Sequence, residues 1–177
     1  MKLRVEVADL SLASIDALEV DSVAAFVGAE RPLAGLAALV DWRLAGAVSR
    51  AILAGTVTPE HGEALLLPAG TRLHGARVFV FGLGDPSPRT LALAVRHACE
   101  ALRRAGARRV AVALPGGATL PVAARAWVEA ASAAGLERQV LLGEARLLAP
   151  ALEDAAREVG VAVEVERPST RVEPPTG

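Results

Sequence analysis

A chain of 177 residues has room for one domain of ordinary size, and at 53% hydrophobic residues it can bury a sizeable core. Three Phe, two Trp and no Tyr mean that this core must be built from Leu, Val and Ala. A net charge of −1 with acids and bases interspersed, and so few rings on which bases could stack, argue against nucleic acid as a partner.

Lys2 is the only lysine, and Cys99 the only cysteine. One cysteine excludes an internal disulfide and fits a reducing cytoplasm. It stands among apolar neighbours in a helical pattern, where a buried thiol is the expected reading and a nucleophile the alternative. The N-terminal "MKLRVEVADL" alternates as a strand does, with no long apolar run. No signal peptide or membrane span is expected, and the protein is expected to be soluble and cytoplasmic.

In chain order, "LRVEV" (Leu3–Val7) alternates apolar and polar residues and predicts a half-exposed strand. "DSVAAFVG" (Asp21–Gly28) is a continuous apolar run and predicts a buried strand. The stretch from Pro32 to Leu53 predicts one long helix, with Leu33, Leu36, Val40, Leu44, Ala47, Val48 and Ala51 on one face and Gly55 as its cap. That apolar stripe is broad enough to serve an interface as well as a core. "EALLLPA" (Glu63–Ala69) and "RVFVFGL" (Arg77–Leu83) predict two strands, joined by a hairpin at residues 69–77.

Ser87 and Pro88 predict a helix start, since Ser caps and Pro suits the first helical position. Its buried stripe is Leu91, Val95, Ala98, Cys99 and Leu102; Arg103 and Arg104 suit the last turn, and Gly106 ends it. A strand at Arg109–Pro115, a helix at Pro121–Ala134 stopped by Gly135, and a short strand at Arg138–Gly143 follow. A helix from Pro150 to Val159, stopped by Gly160, leads to a last strand at Val161–Glu166. Residues 1–166 thus read as one three-layer α/β/α domain with a mixed, largely parallel sheet. The remainder, 167–177 ("RPSTRVEPPTG"), is expected to be a disordered tail.

Residues 35–114, with "GEALLLPAG" and "VFVFGLGDP" at their centre, resemble the N-terminal domain of the leucyl (cytosol) aminopeptidase family. Glu63–Pro68 and Val80–Gly84 carry the likeness best. The resemblance implies a macro-domain-like fold. It also implies that the metal ions, their carboxylates and the catalytic lysine and arginine belong to a separate, following domain that this chain is expected to lack. The residues agree. A two-metal hydrolase needs convergent carboxylates, whereas Glu30, Asp41, Glu60, Glu63, Asp85, Glu100 and Glu129 are scattered, and Lys2 stands at the terminus. No catalytic residue, no metal and no cofactor is expected.

Two glycine loops are the candidate binding elements. In the loop at 82–88, Gly82 and Gly84 follow a strand, with Asp85, Ser87 and Arg89 next to them. A strand–Gly–x–Gly turn before a helix can present N–H groups to a phosphate. Against that, the third glycine of a dinucleotide fingerprint is replaced by Ser87, and Pro88 removes an N–H. A tight turn packed against the sheet is the other reading. The loop at 115–119 carries Gly116, Gly117 and Thr119 at the end of another strand. If the two strands adjoin, both loops line one crevice, as ligand loops do in open α/β sheets. Macro domains proper bind ADP-ribose in a comparable place, and Asp21 matches by position the acidic residue near their adenine. Their Asn-rich ribose motif has no counterpart, because the chain contains no Asn.

His61, His74 and His97 are too dispersed to predict a metal site. Arg103–Arg104 and Arg108–Arg109 read as capping and solvated positions, or as a basic patch. Trp42 and Trp127 fall on helices; an exposed Trp there points to an interface. The leading expectation is a non-catalytic binding or assembly module, forming a homo-oligomer or docking on a protein partner such as a separate peptidase subunit. The alternative is recognition of ADP-ribose or another phosphate-containing small molecule. No membrane partner is expected.

Overall fold

The computed structural model describes residues 2–74, 76–85 and 87–167. The expected disordered tail, apart from Arg167, lies outside the described residues. Strands β1 (Lys2–Asp9), β2 (Ser22–Val27), β3 (Ala64–Pro68), β4 (Arg77–Gly82), β5 (Arg109–Val112), β6 (Arg138–Gly143) and β7 (Ala162–Glu166) form one sheet. Its order is β3-β4-β2-β5-β6-β1-β7. Among the described residues only β3 runs antiparallel, paired to β4 through the expected hairpin, so the sheet is mixed and largely parallel.

Helices cover both faces. On one side α4 (Pro88–Arg104), α5 (Leu120–Ala134) and α6 (Ala145–Val159) enclose a core with Leu3, Val5, Phe81, Leu102, Trp127 and Leu152. On the other, α1 (Leu12–Asp16), α2 (Gly35–Arg43) and α3 (Ala47–Leu53) enclose Ile15, Val23, Val40, Val48, Val78 and Val80. The strand pattern explains the division. Along β2 alternate residues go to opposite faces, so Val23 and Ala25 enter one core and Ala24 the other.

Two expectations need correction, and one element went unread. The helix over Pro32–Leu53 is two helices, α2 and α3, broken where Ala45 and Gly46 take φ of 53° and 80°. Asp41, still on α2, causes the break to hold. Its carboxylate accepts the N–H groups of Val48 and Ser49 at 2.8 and 3.0 Å and the Ser49 hydroxyl at 2.5 Å, capping α3 from outside. The apolar stripe survives the break, because Leu36, Val40, Leu44 and Val48 remain buried; it serves the core. The last helix starts at Ala145, not Pro150. Asp9 at the end of β1 accepts the Ala145 N–H at 2.9 Å, and Pro150 sits within the helix on its exposed side. Finally, α1 has five residues, too few to leave a periodic signature, and is fixed by the Ser11 hydroxyl accepting the Ser14 N–H at 3.0 Å.

At the amino ends of the central strands, Asp21 joins β2, β4 and β5. Its carboxylate accepts the backbone N–H of Arg108 and Arg109 at 2.9 and 3.0 Å and the Ser22 hydroxyl at 2.7 Å, and faces the Arg77 guanidinium at 3.5 Å. Its own N–H donates to the Arg109 carbonyl, and its carbonyl accepts from the Arg77 N–H. Burial pushes the carboxyl upward, but the Ser22 hydroxyl, the two N–H groups and Arg77 together outweigh it and hold the group below its ordinary value. A depressed folded pKa makes this stabilisation complete above the unfolded carboxylate pKa of about 4 and lost as pH falls through the lower folded value. Asp21→Asn is expected to cost about 1–3 kcal/mol at neutral pH. It should also flatten the acid limb of stability, read as urea midpoints from about pH 7 down to about pH 3. An unchanged midpoint and unchanged acid limb would contradict the clamp.

Candidate functional site

Because β2, β4 and β5 are parallel, their carboxyl ends open on one edge of the sheet. The two glycine-bearing strands do not adjoin: β2 lies between them. Their loops still meet, since one strand's width separates them, and the segment after β2 completes the wall. A crevice of about 140 Å³ is lined by Gly28, Ala29, Glu30, Leu83, Gly84, Asp85, Leu91, Gly116 and Gly117. Of the residues expected at this site, Gly84, Asp85, Gly116 and Gly117 line it, while Gly82, Ser87, Arg89 and Thr119 do not. Gly28 to Glu30 went unread because their only signal, a glycine after an apolar strand, gains meaning once β2 is known to be central.

The glycine turn after β4 serves packing. A Cβ on Gly82 would overlap the Glu60 carbonyl, and one on Gly84, at φ 68°, would lie 2.9 Å from His61 Cβ. The N–H groups of three successive residues are already engaged. Gly82 donates to the Glu63 carbonyl at 3.0 Å, Leu83 to Val27 at 3.0 Å and Gly84 to Pro59 at 2.8 Å. The segment from Pro59 to Glu63 and the end of β2 therefore take up the three N–H groups that this turn would otherwise offer to an anion.

Helix ends add little. Ser87 caps α4 by accepting the Thr90 N–H at 3.2 Å, and Pro88 contributes no donor; α5 likewise begins with Pro121 in its first turn. Arg89 is exposed, outside the crevice. The ionisable lining groups are the carboxylates of Glu30 and Asp85. The nearby Arg31 guanidinium turns to the carbonyls of Gly28 and Glu30, at 2.9 and 2.6 Å. The crevice is thus small and acidic, below the roughly 300 Å³ at which ordinary ligand pockets begin.

Asp21 is not at this edge. It precedes β2 whereas the crevice follows it, so the two are separated by a six-residue strand, about 20 Å. The positional match to an adenine-contacting acid is therefore wrong; Asp21 is part of the clamp. The histidines are dispersed: His61 packs beside Gly84, His74 Nε2 bonds the Asp16 carbonyl at 2.8 Å, and His97 meets the Phe81 ring edge-on at 6.0 Å. Among the described residues no group of three or more His, Cys, Asp or Glu is placed to hold a metal ion. Cys99 is buried, and burial pushes its thiol far up. Trp127 is buried with its indole N–H donating to Gln139 at 2.6 Å, while Trp42 is exposed. Among the described residues no helix is long and apolar enough to cross a membrane.

A sheet of this order with helices on both faces and a crevice at the carboxyl ends of β4, β2 and β5 defines a macrodomain-like α/β protein. Solved structures agree on the fold. A Trypanosoma brucei macrodomain in complex with ADP-ribose matches with a TM-score of 0.66 at 14% identity, over 86% of this chain and 68% of that one. A mutant Oceanobacillus iheyensis macrodomain matches at 0.64 and 14%, over 88% and 90%. A mutant tomato leucine aminopeptidase matches at 0.62 and 18%, over 89% of this chain. The present chain spans only 36% of that enzyme's length. The family model described as the cytosol aminopeptidase family, N-terminal domain, matches residues 23–139. The chain belongs to that family, and the match extends well beyond residues 35–114 on both sides. No curated protein matches the sequence.

The glycines separate packing from open space. Gly82→Ala is expected to destabilise the fold by about 2–3 kcal/mol, since backbone rather than a flexible side chain must move. Gly116→Ala, with nothing within 4 Å and no positive φ, should change stability by less than about 0.5 kcal/mol. Urea denaturation of both variants checks the contrast, and equal effects would contradict it.

Proposed function

We propose that this chain is a non-catalytic assembly module of the reducing cytoplasm. It docks on protein, either another copy of itself or a separate peptidase subunit, and performs no chemistry of its own. The observation that carries this reading is Trp42. It is 63% exposed on α2, with the Arg43 guanidinium 4.9 Å from its ring centre. A tryptophan that leaves so much apolar area in water, held beside an arginine, has the composition of an interface anchor. Leu53 on α3, 87% exposed, adds apolar area on the same side of the sheet. The family supports the reading, because its N-terminal domain stands beside a catalytic one and this chain matches the N-terminal domain model.

Association is measured by light scattering and by quenching of Trp42 fluorescence, alone and with a catalytic domain of the same family added. Self-association or complex formation is expected, with Trp42→Ala weakening it at least about tenfold, or ~1.4 kcal/mol. A monomer under all conditions, with Trp42 equally quenchable throughout, would overturn the proposal.

A second reading rests on the convergence of both glycine loops in one crevice: a phosphate-bearing ligand, as in the macrodomain that carries ADP-ribose. The occupied N–H groups and the carboxylates of Glu30 and Asp85 oppose it. Titration calorimetry with ADP-ribose is expected to give flat heats up to millimolar ligand. Micromolar binding abolished by a bulky residue at Gly116 would establish the second reading instead.

A further inference from the structure

The two edges of the sheet are protected differently. β7 carries Glu164 and Glu166 and pairs Lys2 with Glu164 at 2.9 Å, the charged edge that soluble sheets use against unwanted pairing. β3 has the sequence Ala-Leu-Leu-Leu-Pro, without a charge from Ala64 to Ala69. Among the described residues its one strand neighbour is β4.

The hairpin fixes which groups of β3 face outward. The bond from the Gly82 N–H to the Glu63 carbonyl marks that opposed pair as a hydrogen-bonded one. In an antiparallel ladder such pairs alternate, so Leu65 with Val80 and Leu67 with Val78 also bond toward β4. Ala64, Leu66 and Pro68 therefore turn their backbone groups away from the sheet. Pro68 sits where its missing N–H removes no ladder bond, as prolines in edge strands do. The side chains of Leu65 and Leu67 pack into the core, while Leu66 is 52% exposed on the opposite face.

We infer that β3 is a docking edge for a second copy of this chain, added antiparallel about a two-fold axis at Leu66. This rests on the assembly reading and names its surface. The strand is complementary to itself in that register. The Leu66 N–H and C=O meet those of Leu66 in the second copy, and the Ala64 N–H meets the Pro68 carbonyl. The donor that Pro68 lacks falls at the end of the paired stretch. Glu63 lies opposite Ala69, so no like charges meet. The alternative of β3 on the β7 edge of another copy would set Glu164 and Glu166 beside leucines and propagate without closing, whereas the two-fold pairing closes. One strand pair buries less than the roughly 1,000 Å² of a permanent complex, so the dimer is concentration-dependent.

Light scattering from micromolar to millimolar protein is combined with oxidative cross-linking of Leu66→Cys and, as a control, Leu53→Cys. The native Cys99 is buried and stays silent. The expected result is a dimer that Leu66→Lys weakens at least about tenfold. Leu66→Cys is expected to form an intermolecular disulfide while Leu53→Cys does not, because cross-strand Cα separations suit that bond. A dimer that resists Leu66→Lys and cross-links only through Leu53 would overturn the edge pairing yet leave the assembly reading intact. A chain monomeric at every concentration would overturn the edge pairing, while the complex with a catalytic domain would still decide the assembly reading. Circular dichroism of Leu66→Lys separates lost pairing from lost folding, and Leu66→Cys reports on pairing without adding charge to the strand.

Discussion

One carboxylate ties together the three central strands. Asp21 takes the N–H groups at the start of β5, the hydroxyl of Ser22 at the start of β2 and the side chain of Arg77 at the start of β4. Interactions with an ionised acceptor are stronger than neutral ones, and here they converge where the register of a parallel sheet must be set. A one-residue slip would turn each strand's apolar residues to the wrong face. Both cores depend on that register, because the alternation of β2 supplies Val23 and Ala25 to one and Ala24 to the other.

The same register places the loops at the far ends of these strands. Fixing the starts of β2, β4 and β5 brings Gly28, Gly84 and Gly116 around one crevice. Convergence does not by itself make a phosphate site. The N–H groups of Gly82, Leu83 and Gly84 bond to Glu63, Val27 and Pro59, and the crevice presents the carboxylates of Glu30 and Asp85. The turn that looks in sequence like an anion cradle works in the fold as a close crossing of two chain segments, and glycine is required by the backbone of Glu60.

Elements with strong local signals were legible. Ser87 and Pro88 specify the start of α4, because capping and a fixed φ act within one turn. Gly135 and Gly160 end α5 and α6 in left-handed conformations of 75° and 74°. The break between α2 and α3 was not legible, since Asp41 stops nothing locally; it acts by folding back onto Val48 and Ser49. The start of α6 was masked by Pro150, which reads as a first-turn residue but lies on an exposed face inside the helix. Of the crevice, the glycines were visible and Glu30 was not, because nothing near Glu30 in sequence shows that β2 runs between β4 and β5.

The sequence by itself determined the class of fold, the family likeness and most element boundaries, because periodicity, caps and turn residues are local properties of the chain. Tertiary structure alone decided three things: that Trp42 faces solvent while Trp127 is buried, that Asp21 clamps the strand ends away from the glycine crevice, and that β3, among the described residues, pairs on one side only. Each depends on which distant segment arrives beside it, and hydrogen bonds and burial between residues far apart in the chain have no counterpart in local spacing.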